Sequence, residues 1–313
     1  LFSYAILLVP ESLMDYVTGL PQITYLEKPK LLYFADAFVR SISCITPVQE
    51  GVMGLSGNGV LLACIDSGVD YAHPDFCAPD GTSRIAILWD QTIPGNPPMG
   101  YALGSVYTRQ QINEALASST PEERFALVPS RDVTGHGTAV LGIAAGNGRS
   151  SAYAAMRGVA PEATLVVVKL GNPDPADLPR TSQLLQAVDF CVRYALLVER
   201  PLVINLSFGN NYGSHSGDSL LETYLNAVSN LGQNVICIGA GNEGDTGRHY
   251  AGNLKSDRKS SGQTQTVRAT SDPAATSAVS ATADRAVSVE FQVGAYESSF
   301  SLQIWKVYGD EIS

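Results

Sequence analysis

The chain has 313 residues, 45% of them hydrophobic and 16% charged, a composition that excludes a disordered tail or a collagenous repeat and leaves enough apolar side chain for a sizeable core. Twenty Lys and Arg stand against thirty Asp and Glu, and the net charge of −10 repels phosphate backbones and anionic surfaces, so neither nucleic acid nor a membrane is an expected partner. The longest apolar runs, such as Leu202 to Leu206, fall far short of the ~20 residues that a membrane-crossing helix needs.

From the N-terminus, Tyr4 to Val9 reads as a strand, a short helical stretch follows Pro10, and extended segments surround Ile23 to Tyr25 and Leu31 to Phe34. Residues 1–50 are thus expected to form a small α+β piece. Because the chain opens on Leu1 rather than Met, immediately before a strand, its natural start is expected to lie further upstream.

From Gly59 onward the texture changes. Strand-like runs at Val60 to Ile65, Ile85 to Trp89, Thr164 to Leu170, Leu202 to Leu206 and Asn234 to Ile238 alternate with helical runs at Ala139 to Ala145, Leu184 to Val198 and Leu220 to Leu231. Alternation of this kind predicts βαβ units, hence an α/β fold with a parallel sheet covered by helices on both faces, over residues 51–255. Leu184, Leu185, Val188, Val192, Ala195 and Leu196 recur at helical spacing after Thr181, an N-cap candidate. Leu220, Leu221, Tyr224, Leu225, Val228 and Leu231 repeat the pattern, with Ser219 and Glu222 spaced as a capping box and Gly232 as a stop.

Between Gly252 and Asp284 the sequence is rich in Ser, Thr, Ala and Gln with little periodicity, and a flexible excursion is expected there. Val287, Val289, Phe291 and Val293 then alternate with polar residues, and Phe300, Leu302 and Ile304 do so after a turn-like stretch, which predicts a β-hairpin. Residues 256–313 are therefore expected to hold the excursion and the start of a β-sandwich-like module, with too few strands to bury a sheet face. The end of the chain is accordingly expected to fall inside a longer protein.

The five cysteines, Cys44, Cys64, Cys77, Cys191 and Cys237, are odd in number, widely spaced and without a C-x-x-C pair, so neither a disulfide scaffold nor a zinc site is expected. Thiols in apolar stretches such as Val235 to Ile238 read as buried small hydrophobes, which suits a reducing compartment. No loop has a recognised calcium spacing, and no cofactor is expected.

Three clusters sit where parallel α/β sheets place their chemistry, at or beyond the carboxyl ends of strands. Cys64-Ile65-Asp66-Ser67-Gly68-Val69-Asp70 puts Asp66 at the end of an apolar strand; alone, Asp66 reads equally as a turn residue. Thr134-Gly135-His136-Gly137-Thr138 puts an imidazole between two glycines at a helix start, where it could exchange protons near neutral pH or serve as a structural hydrogen-bonder. His73, His215 and His249 form no tight ligand pattern with it. Gly239-Ala240-Gly241-Asn242-Glu243-Gly244 follows the last parallel strand; it is a Gly-rich turn whose Asn242 amide could donate to a developing oxyanion. No G-x-G-x-x-G follows the first strand, which removes a dinucleotide reading.

In this order the three clusters resemble the subtilisin-like serine proteases, whose triad runs Asp, His, Ser along the chain. The resemblance extends to Gly158-Val159-Ala160-Pro161, Val166 to Lys169 and Ile204 to Gly209. It implies that Asp66 orients His136, that His136 is the general base and that Asn242 is the oxyanion-hole donor. It further implies that Ser207, Phe208 and Gly209 pair with substrate backbone, and that Gly239, Ala240 and Gly241 line the pocket beside the scissile bond. Ala139 stands where many relatives have a second histidine, a position beside the triad. Relatives carry the nucleophile in G-T-S-M-A-x-P, and nothing between Asn242 and Ser313 matches it. Gly81-Thr82-Ser83 imitates that motif but lies between the Asp and the His. The resemblance thus implies a serine beyond the chain, which by itself would be inactive.

Tyr25 to Pro29, Asp66 to Phe76, Leu88 to Thr92 and Gln303 to Lys306 resemble, more narrowly, clostridial subtilases related to spore-germination proteases. That resemblance implies a β-sandwich inserted before the serine and a cytoplasmic or spore location. It also makes residues 1–50 a propeptide remnant, cut somewhere in Ala35 to Glu50. The expected function is a serine endopeptidase acting on peptide or protein substrates; the competing reading is a pseudoprotease that binds and regulates a partner.

Overall fold

The computed structural model describes residues 10–22, 40, 42–151, 156–172, 179–210, 212–213, 215–242, 265–267, 277–281 and 287–289. In the first of these segments a 3₁₀ turn, Glu11–Leu13, leads into α1, Met14–Thr18, where a short helix was expected after Pro10. The anticipated extended pieces at 4–9, 23–25 and 31–34 lie outside the described residues. Helix α2, Ile45–Glu50, is bound to the turn at 157–159: the Gln49 amide donates to the Gly158 and Val159 carbonyls at 2.9 and 2.6 Å, and Arg157 pairs with Glu50 at 3.1 Å.

Five parallel strands and one antiparallel strand make the main sheet. They are β1 (Leu61–Asp66), β2 (Ile85–Asp90), β3 (Ser105–Thr108), β4 (Thr164–Lys169), β5 (Leu202–Leu206) and β6 (Asn234–Ile238), in the order β3-β2-β4-β1-β5-β6, with β3 antiparallel to β2. Central β1 is buried at every position, as a continuous apolar run requires when helices cover both faces. Leu61, Ala63 and Ile65 pack with α6 (Thr181–Leu197) and α7 (Leu220–Ser229). Leu62 and Cys64 pack with α3 (Arg109–Leu116) and α5 (His136–Ala145) on the opposite face. The expected α/β architecture is therefore the observed one.

Local chemistry accounts for the helix ends. Ser219 and Glu222 form the anticipated capping box, with Glu222 N–H donating to Ser219 Oγ and Ser219 N–H to the Glu222 carboxylate. Thr181 is not the cap of α6; it is the first helical residue, and the preceding Arg180 N–H donates to the Gln183 side chain at 2.7 Å. Strand β3, α3 and α4 (Pro121–Leu127) had no strong periodic signal, since α3 buries Ile112 and Ala115 and α4 buries no residue fully. Their visible signature is capping chemistry: Thr108 with Gln111, and Thr120 with Glu123 beside Pro121.

Two expectations need correction. Cys237 is exposed, because β6 is the last strand of the described sheet, and Val235 and Ile238 are 55% and 59% exposed beside it. Cys64, Cys77 and Cys191 are the buried thiols, and Cys44 is exposed. The stretch expected to be irregular supplies two short strands, β7 (Gln265–Val267) and β8 (Ser277–Ala281), antiparallel to each other. The β9 strand, Val287–Val289, pairs with β8, and the hairpin partner anticipated at 300–304 lies outside the described residues.

At the amino ends of the strands, the half-buried Arg84 guanidinium donates to the carbonyls of Asp75, Ala145, Ala160 and Ala163, at 2.7 to 3.4 Å. It ties the C-terminus of α5 to the turn that precedes β2 and to the segment that leads into β4. Burial lowers its proton affinity, to about 10, still well above neutrality. Replacement by Met would leave these carbonyls without that donor, so Arg84→Met should destabilise the fold by about 2–3 kcal/mol. A denaturant midpoint unchanged from wild type would show that the carbonyls find other partners.

Candidate active site

Strands β2, β4 and β1 end in register on Asp90, Lys169 and Asp66, all three nearly inaccessible to solvent. Each holds a different point of the segment that leads to His136. Ser130 Oγ donates to Asp90 Oδ2 at 2.6 Å, and Lys169 Nζ donates to the Arg131 carbonyl at 2.8 Å. The third contact is the chemical one: Asp66 Oδ1 lies 2.6 Å from His136 Nδ1. The Asp66 side chain is 3% exposed and the His136 side chain 53%, so an acid anchored in the sheet holds an imidazole whose other edge reaches solvent.

An ionised Asp66 accepts, which makes Nδ1 the protonated nitrogen and leaves the Nε2 lone pair free to take a proton. Asp66 Oδ1 also accepts from Ser67 N–H at 2.7 Å, fixing the carboxylate plane. The flanking glycines do two separate things. Gly135 has a φ of +77° and nothing near its missing Cβ, so it serves the chain's turn into α5. A Cβ on Gly137 would lie 2.1 Å from the Gly68 carbonyl and 3.1 Å from Asp66 Cβ; its absence lets the helix start lie against the end of β1.

The other sequence-derived candidates lie beyond the same carboxyl edge of the sheet, without contacting the pair among the described residues. Ser207, Phe208 and Gly209 follow β5, and Ser207 Oγ accepts from Asn205 at 2.8 Å. Gly239, Ala240, Gly241 and Asn242 follow β6 and are exposed; Gly239 N–H donates to Leu206 O at 3.0 Å, extending the β5–β6 pairing. Ser83 is at the opposite edge, buried, with Oγ accepting from Ile85 N–H, which separates it from the imidazole by the length of a strand. No group of His, Cys, Asp and Glu among the described residues could hold a metal ion.

Sequence reasoning gave no role to Asp132, Ser67 and Thr134, whose side chains serve the N–H groups of the N-cap Gly135 and of the first three residues of α5, nor to Thr138, whose hydroxyl donates to Asp132 Oδ2. Gly135 N–H donates to Asp132 Oδ1 and Thr138 N–H to Oδ2, at 3.0 and 2.8 Å. His136 N–H donates to Thr134 Oγ1 and Gly137 N–H to Ser67 Oγ, at 3.1 and 3.0 Å; the Thr134 and Ser67 hydroxyls reach Asp132 Oδ1 at 3.1 and 2.9 Å. Such groups have no partner within a helix. The signal was present as an Asp three residues before the glycine that opens the helix. Burial alone would raise the Asp132 carboxyl, but donation from Thr138, Ser67 and Gly135 outweighs it and holds the group below its usual 3.8. A depressed folded-state value means that the contribution is complete above the unfolded value and is lost as pH falls through the folded one. The stability gap between wild type and Asp132→Asn should therefore be about 1–2 kcal/mol at neutral pH and narrow below pH ~4, as measured by denaturant unfolding.

Known proteins resemble this chain in sequence and in fold. Subtilisin E of Bacillus subtilis is 26% identical over 228 residues, covering 72% of this chain and 46% of the relative. The major intracellular serine protease of the same organism is 30% identical over 205 residues, covering 65% and 49%. The solved structure of the Clostridium perfringens CspB protease superposes with a TM-score of 0.59 at 34% identity, over 67% of this chain and 41% of that one. The chain thus spans about half, or less, of the length of the relatives it matches. The peptidase S8 subtilase family matches residues 57–302, from the turn before β1 to beyond β9, and on that coverage the chain belongs to the subtilase family.

Proposed function

We propose that the protein is a serine endopeptidase in which Asp66 and His136 supply the orienting acid and the general base, with the attacking serine outside residues 1–313. The observation that carries this reading is the 2.6 Å contact between Asp66 Oδ1 and His136 Nδ1 at the carboxyl end of β1. In the proposed cycle Nε2 takes the serine hydroxyl proton as Oγ bonds the substrate carbonyl carbon. Asp66 stabilises the imidazolium, and the Asn242 amide donates to the new oxyanion. The peptide C–N bond then breaks as Nε2 passes its proton to the departing amine, and a water repeats the sequence on the acyl ester.

Serines among the described residues near the pair are engaged elsewhere: Ser67 on Asp132 and Ser130 on Asp90. Ser207 to Gly209 and Gly239 to Gly241 are assigned to substrate backbone and to the pocket beside the scissile bond, since they follow β5, which pairs in parallel with β1, and β6, which pairs in parallel with β5. Peptide or protein chains are the proposed substrates. Residues 1–50 are assigned to a propeptide remnant, which is consistent with Arg40 donating to Arg157 O at 2.7 Å and with Gln49 bound at 158–159. Residues 51–255 are the proposed catalytic portion, and 256–313 the start of an inserted β module.

A fluorophosphonate probe, which reacts with serines activated by a neighbouring base, tests the reading on the full-length protein. One serine outside residues 1–313 should be labelled, and His136→Ala should abolish both the labelling and peptide hydrolysis. Asn242→Ala should lower kcat on the order of 10²- to 10³-fold with little change in KM, because its hydrogen bond strengthens as the oxyanion forms. A folded protein that no probe labels would turn the reading toward a partner-binding regulator. Labelling of Ser83 or Ser207 would refute the assignment of the nucleophile.

A further inference from the structure

We infer that Asp132 is a positioning residue for the Asp66–His136 pair: its carboxylate locks the start of α5 to the end of β1 and so sets the orientation of the His136 imidazole. The inference rests on the reading of that pair as the acid and base of a peptidase, and it assigns a function to a side chain that touches neither the imidazole nor, in the proposed cycle, the substrate.

The geometry is a set of relays that end on one carboxylate. Three hydroxyls each accept a backbone N–H and present their own proton inward. Ser67 accepts from Gly137 and donates to Asp132 Oδ1, while Thr134 accepts from His136. Thr138 accepts from Asp70 N–H at 2.9 Å and donates to Asp132 Oδ2 at 2.7 Å. The N–H groups of Gly135 and Thr138 reach the same two oxygens directly. Asp132 thereby joins the residue after Asp66, the residue two before His136 and the residue two after it. A shift of α5 along its axis would break several of these bonds together, and a shift of that kind is what would carry Nδ1 away from Asp66.

Charge and donor pattern both require a carboxylate here. The positive end of the α5 dipole faces Asp132, and every group on its two oxygens is a donor. An asparagine could keep one oxygen toward Gly135 and Ser67, but its NH₂ would then face the Thr138 N–H, donor against donor, and the Thr138 hydroxyl would have to turn from donor to acceptor. The helix start would have to move to relieve that opposition. Because the imidazole is about half exposed, little packing would hold it against such a movement.

The test compares Asp132→Asn, Thr138→Val and Thr138→Ser in the full-length protein. Kinetics on a peptide substrate are paired with proton NMR of the low-field resonance expected for the short His136 Nδ1–H bond to Asp66. Asp132→Asn should lower kcat on the order of 10- to 100-fold, the scale of a small misplacement of a reacting group, with KM changed by no more than about threefold. Its low-field resonance should be lost or shifted although circular dichroism shows folded protein. Thr138→Val should act in the same direction more weakly, and Thr138→Ser, which keeps the hydroxyl, should restore wild-type kcat and resonance. Wild-type kcat and an unchanged resonance in folded Asp132→Asn would overturn the inference. If that variant does not fold, the Thr138 pair decides: a loss in Val that Ser repairs supports it, and equal behaviour of the two overturns it. Full activity in His136→Ala would instead refute the peptidase reading, and the resonance, which needs no catalysis, would still decide the role of Asp132.

Discussion

The buried carboxylate of Asp66 is the constraint on which the rest of the structure depends. A charge almost out of water at the end of a fully apolar strand is costly unless it is hydrogen-bonded. Its Oδ1 takes both the Ser67 N–H and the His136 ring, while Oδ2 is enclosed without a hydrogen-bond partner among the described residues. The imidazole is therefore needed by the fold as well as by the proposed chemistry. Everything nearby serves that approach: a glycine at 137 where any Cβ would strike the Gly68 carbonyl, and a helix start whose orphan N–H groups are drawn to the side of β1.

Parallel pairing turns this local contact into a site. Because β4, β1, β5 and β6 run in the same direction, their carboxyl ends fall on one edge of the sheet. Loops that follow them meet there by topology alone. The same arrangement removes Ser83, whose Gly-Thr-Ser setting looks catalytic but which stands at the amino end of β2. The row Asp90, Lys169 and Asp66 shows the principle at finer scale. Three neighbouring strands end on charged residues in register: Asp90 and Lys169 hold Ser130 and Arg131 ahead of α5, and Asp66 holds His136 at its first residue.

Burial is uneven across the sheet, and this shapes what its residues do. The central strands need no polar face, and the cysteines at the core behave as small hydrophobes; burial pushes the thiol of Cys64 in β1 well above its usual value, and that of Cys191 in α6 likewise. At β6 the apolar side chains Val235 and Ile238 stand in solvent. The same residue types thus have opposite surroundings within two strands, and a cysteine's exposure follows its strand's place in the sheet rather than its neighbours in sequence.

Sequence alone determined the alternation of strands and helices, the bounds of β5 and β6 and the Ser219–Glu222 cap, because these depend on local periodicity and on groups a few residues apart. It also singled out Asp66 and His136, since each stands in a run of small residues at the end or start of an element. It missed α3 and α4, whose few buried side chains leave a weak period. What only the tertiary structure decided are relations between residues distant in the chain: that Asp66 and His136 touch across 70 positions, that Cys237 is exposed, and that Asp132 gathers the N–H groups of a helix start together with the hydroxyl next to Asp66. Hydrogen bonds of that reach follow from strand register and helix placement, and neither is written in any local run of residues.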